Sequence, residues 1–219
     1  KKKSMLSIGP KNFGFSREIY TDILKIGLPG SLGMVLMSFS QAFANKIAST
    51  YGDFVVAANG IVMRTSSMAF MLVMGLSMGY QPLAGFNYGA RNYKRMVDAF
   101  KVTSLIGTGI AVFFTALFFA FGEQIIAVFI KSPQVMDAGS KIFRAFIISM
   151  PTLGLQMTLM TTFQAMGKGL QSMIIALGRQ GIFYIPSLIL LDRYFGFSGF
   201  IYSQPFAEIA TTLLAVTLF

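Results

Sequence analysis

The chain has 219 residues, of which 54% are hydrophobic and only 12% are charged, and its formal net charge is +10. A soluble domain carries about 25% charged residues, so this composition indicates an integral membrane protein. The absence of Cys and His excludes disulfides, thiolate metal sites and proton transfer by histidine. The basic residues gather at the ends of apolar segments rather than along a polar fold, which argues against nucleic-acid binding.

The apolar segments predict an all-α bundle of six transmembrane helices, because blocks of about 20 to 30 residues can cross a hydrocarbon core of about 30 Å. Residues 1–21, with the helix-breaking pair Gly9-Pro10, are predicted to be a cytoplasmic linker and an amphipathic lead-in at the membrane surface. Residues 22–219 are predicted to form the six-helix lobe. Its spans are predicted at residues 23–50, 54–88, 96–122, 134–166, 170–192 and 200–219. The short apolar run 124–130 is predicted to lie along the interface.

Two of these spans carry polar faces. Ser38, Gln41 and Asn45 recur at helical spacing in the first span, and Gln156 and Gln164 lie about two turns apart in the fourth. Polar groups in hydrocarbon cost free energy unless they pair with another helix or face water. Pairing between helices explains any one of them, but two such faces in one bundle favour a hydrated cavity.

Methionine is frequent, with 15 residues in the chain. Its flexible, polarizable side chain suits a pocket that accepts varied apolar or aromatic cationic ligands, although most of these residues are expected to pack in the core or against lipid. The residues predicted to line the cavity are Met37, Ser38, Gln41, Asn45, Arg64, Gln156, Met160 and Gln164.

Small and bendable residues crowd the end of the second span, between Gly75 and Arg95, and a basic run closes this segment. A basic helix end indicates the cytoplasmic side, and the six-span arrangement puts twice as many Lys and Arg residues on that side as on the other. Both termini are therefore predicted to be cytoplasmic. Residues predicted to act as hinges or close-packing points are Pro29, Gly75, Gly79, Pro82, Gly85, Pro151 and Pro186.

The same segment carries a family resemblance. Its glycine-spaced helix, the Gln81-Pro82 pair, the Tyr88-Gly89-Ala90 string and the basic loop resemble the signature region of the multidrug and toxic compound extrusion (MATE) family, in the bacterial multidrug-exporter branch. The similarity begins near Asp22 and covers only the second half of such a transporter. The resemblance implies one lobe of a twelve-helix protein of the inner (plasma) membrane. The implied partners are the lipid bilayer, the N-terminal six-helix half and organic cation or drug substrates.

One departure from the family bears on ion coupling. Some branches place carboxylates in the cavity of this half, whereas the matching positions here fall near Met37 and Leu155, which are apolar. The resemblance therefore implies that the coupling ion, H⁺ or Na⁺, binds mainly in the N-terminal half, and no other cofactor or metal is expected. Arg64 and Glu208 are the strongly charged residues well inside spans, each within reach of an interface.

The function predicted is that of the C-terminal lobe of a multidrug efflux transporter, which exports organic, often cationic, compounds by H⁺ or Na⁺ antiport with alternating access. The chain has no phosphate-binding loop, no GxSxG elbow and no carboxylate pair placed for acid–base chemistry, so it is not expected to be an enzyme. A lipid or polysaccharide-precursor flippase of the same superfamily and a non-transporting membrane assembly module are the alternatives.

Overall fold

The computed structural model describes residues 17–219, apart from the side chains at residues 18, 19, 22, 23, 25, 26 and 28–30. Over this range every element is helical, as the composition predicts. The α-helices are α1 (Arg17–Thr50), α2 (Asp53–Gly89), α3 (Tyr93–Phe129), α4 (Pro133–Ser149), α5 (Leu153–Ala165), α6 (Gly169–Leu177), α7 (Tyr184–Phe195) and α8 (Phe197–Leu218). A 3-10 turn at Met150–Thr152 joins α4 to α5, and a π-helical turn at Gly178–Ile182 joins α6 to α7, so the elements form six rods.

Four of the rods are long and apolar enough to cross a membrane. They cover Asp53–Gly89, Tyr93–Phe129, Pro133–Ala165 and Gly169–Phe195. The other two, α1 with 34 residues and α8 with 22, are outside this set but exceed the length of about 20 residues that a crossing needs. The predicted all-α membrane bundle is thus confirmed.

Two segments predicted to lie at the interface belong to long helices. Residues 17–21 of the predicted lead-in form the first turns of α1, which begins at Arg17, and their place at the membrane surface stays a prediction. The apolar run 124–130 was expected to lie along the interface, but α3 continues to Phe129. Gly122 lies inside this helix and packs against Phe143, whose ring would lie 3.6 Å from an added Cβ, an ordinary contact distance. The linker in residues 1–16 and the side chain of Pro29 lie outside the described residues.

The core of the lobe is built from large apolar side chains shared by several rods. Phe143 and Leu188 are almost fully buried, and the Phe118 and Phe143 rings lie 5.3 Å apart between α3 and α4. Phe119, the next residue on α3, is 77% exposed, so α3 presents one face to the core and another outward. Since lipid tails are as apolar as these side chains, the rods are held by close packing more than by exclusion of water.

One close helix crossing joins α3 and α5 at two glycines. A Cβ added to Gly154 would overlap the backbone of Gly107 and Thr108. In contrast, a Cβ added to Gly75 or Gly79 would meet nothing within 4 Å. The close approach predicted at the end of α2 is therefore absent at those two glycines within the described lobe.

Gly85, farther along α2, does approach a neighbour. A Cβ there would lie 3.4 Å from the backbone oxygen of Ala165 in α5. Of the three predicted glycines on α2, Gly85 is thus the one where an added Cβ would contact a second described helix.

The prolines interrupt the rods to different degrees. Pro82 lies inside α2, which continues through it. Pro151 lies in the 3-10 turn between α4 and α5, where the chain leaves regular α-helix. Pro186, in α7, has no N–H and crowds the carbonyl of Ile182, the last residue of the π-helical turn. The irregular turns therefore coincide with two of the three prolines.

A polar outer face and a buried ion pair

The predicted polar face of α1 lies on the outside of the lobe. Ser38 and Asn45 are exposed and Gln41 is partly buried. Gln41 Nε2 lies 3.5 Å from Asn45 Oδ1, and Asn59 Nδ2 of α2 lies at the same distance from that oxygen. Asn59, which is 3% exposed and was not singled out from the sequence, contacts this face from the second helix.

Two other predicted cavity residues are also exposed. Met37 is 53% exposed on α1. Arg64 is exposed on α2 and has no ion-pair partner among residues 17–219 whose side chains are described. Met160, in contrast, is half-buried against the apolar cluster that contains Leu159 and Phe163 of α5. The exposed members of the predicted cavity set therefore lie on α1 and α2.

The glutamines of α5 point into the lobe. Gln156 is fully buried, and its Nε2 lies 3.4 Å from both the backbone oxygen of Glu208 and Oγ1 of Thr212. Gln164 Nε2 donates to Ser172 Oγ at 3.1 Å. The sequence left two alternatives for these residues, pairing between helices and a water-filled face shared with α1. These contacts match pairing between helices. Their membership in a substrate cavity stays a prediction.

The least expected feature is an ion pair in the interior. Arg179 Nε donates to Glu208 Oε1 at 2.9 Å, and the two side chains are 18% and 6% exposed. Gln204, one turn earlier on α8, donates to the same oxygen at 3.0 Å. Glu208 lies at the middle of α8, and its reach to a membrane interface stays a prediction.

The sequence-based topology counts Arg179 with the cytoplasmic loop before the fifth span. The structure places it farther along the chain, inside a helical rod. It lies in the π-helical turn, where Phe183 N donates to the Gly178 oxygen five residues earlier at 3.0 Å. The Ser40 hydroxyl of α1 donates to the Gln180 backbone oxygen in the same turn at 2.6 Å. Turns of this kind are rare and often mark functional sites.

A small cavity adjoins the ion pair. It measures about 40 Å³ and is lined in part by Ser66, Phe70 and Ser149 together with Arg179 and Glu208. The guanidinium carbon of Arg179 lies 5.3 Å from the centroid of the Phe70 ring, within range of a cation–π interaction. A water needs about 10–15 Å³ of such space, so the cavity is large enough for water and far smaller than a drug.

Two polar atoms near the ion pair are buried without a described hydrogen-bond partner. They are the hydroxyl of Ser66 and the side-chain oxygen Oε1 of Gln156. Leaving such an atom unpaired costs about 1–3 kcal/mol, so native proteins rarely keep one without a reason. Ser66 lines the cavity beside the ion pair, which is large enough to hold a water molecule that could bond its hydroxyl.

Burying both charges is a poor way to stabilise a fold, because desolvation offsets most of their attraction. Ionisable groups inside a membrane are therefore functional candidates by default. The sequence marked Glu208 but not its partner, since 29 residues separate the two and nothing in the local pattern connects them.

Apart from the buried ion pair, α3 and α4 carry charged side chains on the surface of the lobe. Wider depressions of about 250 and 300 Å³ lie between α3 and α4, and both are lined by Glu123 and Arg144. Those two side chains are 3.9 Å apart and mostly exposed. An exposed ion pair contributes about 0–1 kcal/mol to stability, because water solvates both charges, so this pair adds little to the fold.

A separate contact ties the α1–α2 turn to the α7–α8 corner. Tyr51 donates its hydroxyl proton to Asp192 Oδ1 at 2.6 Å, and its ring packs edge-on against Phe197 at 5.5 Å. Burial, followed by the hydrogen bond and the charge of Asp192, raises the pKa of Tyr51 from 10.0 to about 12. The contact therefore favours the protonated phenol.

Comparison with known proteins gives a consistent result. The family model described as MatE matches residues 29–190. Multidrug export protein MepA of Staphylococcus haemolyticus (strain JCSC1435) is 32% identical over 217 residues, which cover 99% of this chain and 47% of the relative. MepA of Staphylococcus aureus (strain NCTC 8325 / PS 47) is 29% identical over 219 residues, which cover 100% of this chain and 48% of the relative.

Solved structures show the same fold. The outward-facing conformation of a multidrug resistance MATE family transporter of the MOP superfamily aligns with a TM-score of 0.88 and 23% identity, over 100% of this chain and 49% of that one. Vibrio cholerae MATE transporter VcmN in the bent form aligns with a TM-score of 0.84 and 22% identity, over 91% of this chain and 46% of that one. The chain spans about half the length of the curated relatives it matches.

Proposed function

The chain belongs to the MatE family, whose model matches more than half of its residues, and from this premise we propose that it is the C-terminal lobe of a multidrug efflux transporter. The transporter exports organic, often cationic, compounds in exchange for H⁺ or Na⁺ by alternating access between two lobes. The observation that carries the proposal is the end-to-end match to relatives named multidrug export proteins, of which the chain spans about half.

The outer polar face supplies one wall of the translocation path in this proposal. Met37 and Asn45 on α1 and Arg64 on α2 are exposed, Gln41 is partly buried, and in this proposal an N-terminal half covers them to complete a cavity. A polar face of this kind is costly against lipid, so a facing lobe and water are its natural environment.

The proposed location is the inner (plasma) membrane, with both termini in the cytoplasm. Moving Arg179 from the loop to the interior lowers the count of basic residues on the cytoplasmic side by one and leaves that side in clear excess. The basic run at the α2–α3 junction, with Arg91, Lys94 and Arg95 all exposed, supports the same orientation.

Expression of the lobe with and without its partner tests this proposal. Cells that express residues 1–219 alone are expected to export no ethidium, because one lobe supplies only one wall of the path. Co-expression of a matching N-terminal half is expected to restore export that stops when the H⁺ or Na⁺ gradient is collapsed. Ethidium export by the monomeric lobe alone in liposomes would contradict the proposal. Movement of lipid-linked precursors without ethidium export would favour the flippase.

A further inference from the structure

We propose that Glu208 is a proton-binding site of this lobe and that Arg179 is the internal counter-ion which protonation of Glu208 releases. The inference rests on the proposed transport function, because a proton taken up here would be exchanged for substrate. It places the coupled proton in the C-terminal half, at a position on α8 that the sequence did not assign to the cavity, in place of the N-terminal site that the family resemblance implies.

Glu208 is set apart from the other described carboxylates by its position. Its side chain is 6% exposed at the middle of a 22-residue helix. The remaining described carboxylates lie at or near helix ends and are exposed or partly so: Asp53, Asp98, Glu123, Asp137 and Asp192. A carboxylate held in the centre of a membrane lobe, where charge is expensive, is the group of this chain best placed to exchange its charge for a proton.

The contacts around Glu208 favour a proton over a metal cation. Oε1 already accepts from Arg179 Nε at 2.9 Å and from Gln204 Nε2 at 3.0 Å. A proton or a sodium ion at Oε1 would equally have to displace the guanidinium, but a sodium ion also needs several oxygen ligands, and the described side-chain partners at Oε1 are the N–H donors of Arg179 and Gln204. A proton forms one O–H bond to the carboxylate and needs no coordination shell.

The adjoining cavity provides the route and the alternative partners. At about 40 Å³ it admits water, which can deliver the proton, but not an organic substrate. When the proton binds, Glu208 becomes neutral and the positive charge remains on Arg179 alone. The Phe70 ring at 5.3 Å and the unpaired hydroxyl of Ser66, which is 5% exposed, can then hold the guanidinium.

The other elements around α8 bring few ionisable groups near this site. Tyr184 of α7, which is 5% exposed, is the second titratable side chain near the carboxylate. α5 and α6 contribute no charged residue, and the 3-10 turn contributes none. On α4, Lys141 pairs with Asp137 and Arg144 with Glu123, and all four side chains are more than half exposed. Asp192 and Arg193 lie near the end of α7. Arg179 therefore controls the charge balance at Glu208.

The π-helical turn connects this exchange to the proposed substrate wall. Arg179 and Gln180 are consecutive in that turn, and the Gln180 oxygen accepts the Ser40 hydroxyl of α1 at 2.6 Å. Ser40 lies one residue before Gln41 of the outer polar face. Movement of Arg179 away from Glu208 therefore acts directly on the helix that carries the wall.

The test uses the complete two-lobe transporter in proteoliposomes with an imposed pH gradient and ethidium as substrate. The wild type is expected to accumulate ethidium about tenfold for each pH unit at one-to-one exchange, since one unit is a factor of ten in proton activity. Glu208→Gln is expected to let ethidium equilibrate without accumulating it. Glu123→Gln, which changes an exposed carboxylate, is the matched control and is expected to accumulate ethidium like the wild type.

A double variant separates coupling from folding. Arg179→Gln with Glu208→Gln removes both charges, so it avoids an unpaired buried arginine and is expected to equilibrate ethidium but not to accumulate it. Gradient-driven accumulation by Glu208→Gln or by the double variant overturns this assignment alone, as does a wild type that responds to Na⁺ and not to pH. A wild type that moves no ethidium under any gradient overturns the proposed function and this assignment with it.

Discussion

A single methyl group added at Gly154 is expected to destabilise the lobe. The Cβ of Gly154→Ala would overlap the backbone of Gly107 and Thr108 in α3. A side chain at that place could rotate away, but a helical backbone cannot, so α3 and α5 have to move apart. The separation loosens contacts along the crossing, including those of Val73 and Met157 in the adjoining apolar cluster.

The size of the effect follows from two opposing terms. Replacing a helical glycine by alanine favours the helix by about 1 kcal/mol, whereas overpacking costs about 1–3 kcal/mol. Because the clash is with backbone, we expect the upper part of that range and a net loss of about 1–2 kcal/mol. In a complete transporter of about twice the length of this chain, this corresponds to a decrease of about 1–2 °C in Tm, since the unfolding entropy scales with length.

Gly79→Ala is the matched control, because it makes the same chemical change on α2 where nothing lies within 4 Å of the new Cβ. At Gly79 only the higher helix propensity of alanine applies, so the Tm of Gly79→Ala is expected to stay constant or rise. Both variants are measured in the complete transporter in detergent, by thermal unfolding followed with circular dichroism. A Tm for Gly154→Ala equal to or above that of Gly79→Ala would refute the reasoning.

Three further outcomes are expected. Asn45→Leu in the complete transporter should change the range of exported compounds at unchanged expression, and equal resistance to every compound would favour a packing role for this exposed residue. Single cysteines at Asn92 and Gly52, introduced into a chain without native Cys, should label from opposite sides of intact cells, and labelling of Asn92→Cys by an impermeant reagent from outside would contradict the topology. The pKa of Tyr51 is raised from 10.0 to about 12, so the stability that its protonated phenol contributes is present below pH 10 and is lost as pH rises toward 12. Tyr51→Phe should remove this alkaline loss in a pH series of Tm values, whereas Tyr194→Phe, at a residue 76% exposed, should leave it unchanged.

Features set by chain-local physics were predictable from the sequence. Apolar length predicted the membrane helices, and the helical period alone placed Ser38, Gln41 and Asn45 on one face of α1. The Pro151 interruption followed equally from a missing N–H. None of these conclusions needed knowledge of a neighbouring helix.

Features set by helix rotation and pairing were not predictable. The polar face of α5 has the same period whether it points outward or inward, and contacts with α8 decide that Gln156 is buried. The pairing of Arg179 with Glu208 depends on a π-helical turn, which no residue pattern announces and which changes the direction of the side chain. A tight crossing such as that at Gly154 likewise becomes visible only when both backbones are placed.

The π-helical turn at Gly178–Ile182 has a consequence for how this gene tolerates changes in length. Such a turn holds one residue more than an α-helical turn, and each residue of an α-helix rotates the chain by about 100°. Loss of one codon there would leave a regular helix that is as apolar as before and shorter by a single residue. It would also turn Arg179 about a quarter of a circle relative to α7, away from Glu208. A one-residue deletion that leaves the hydropathy profile unchanged would thus leave Glu208 without its ion-pair partner at the middle of the lobe. The same deletion in the exposed α2–α3 loop would leave the ion pair intact.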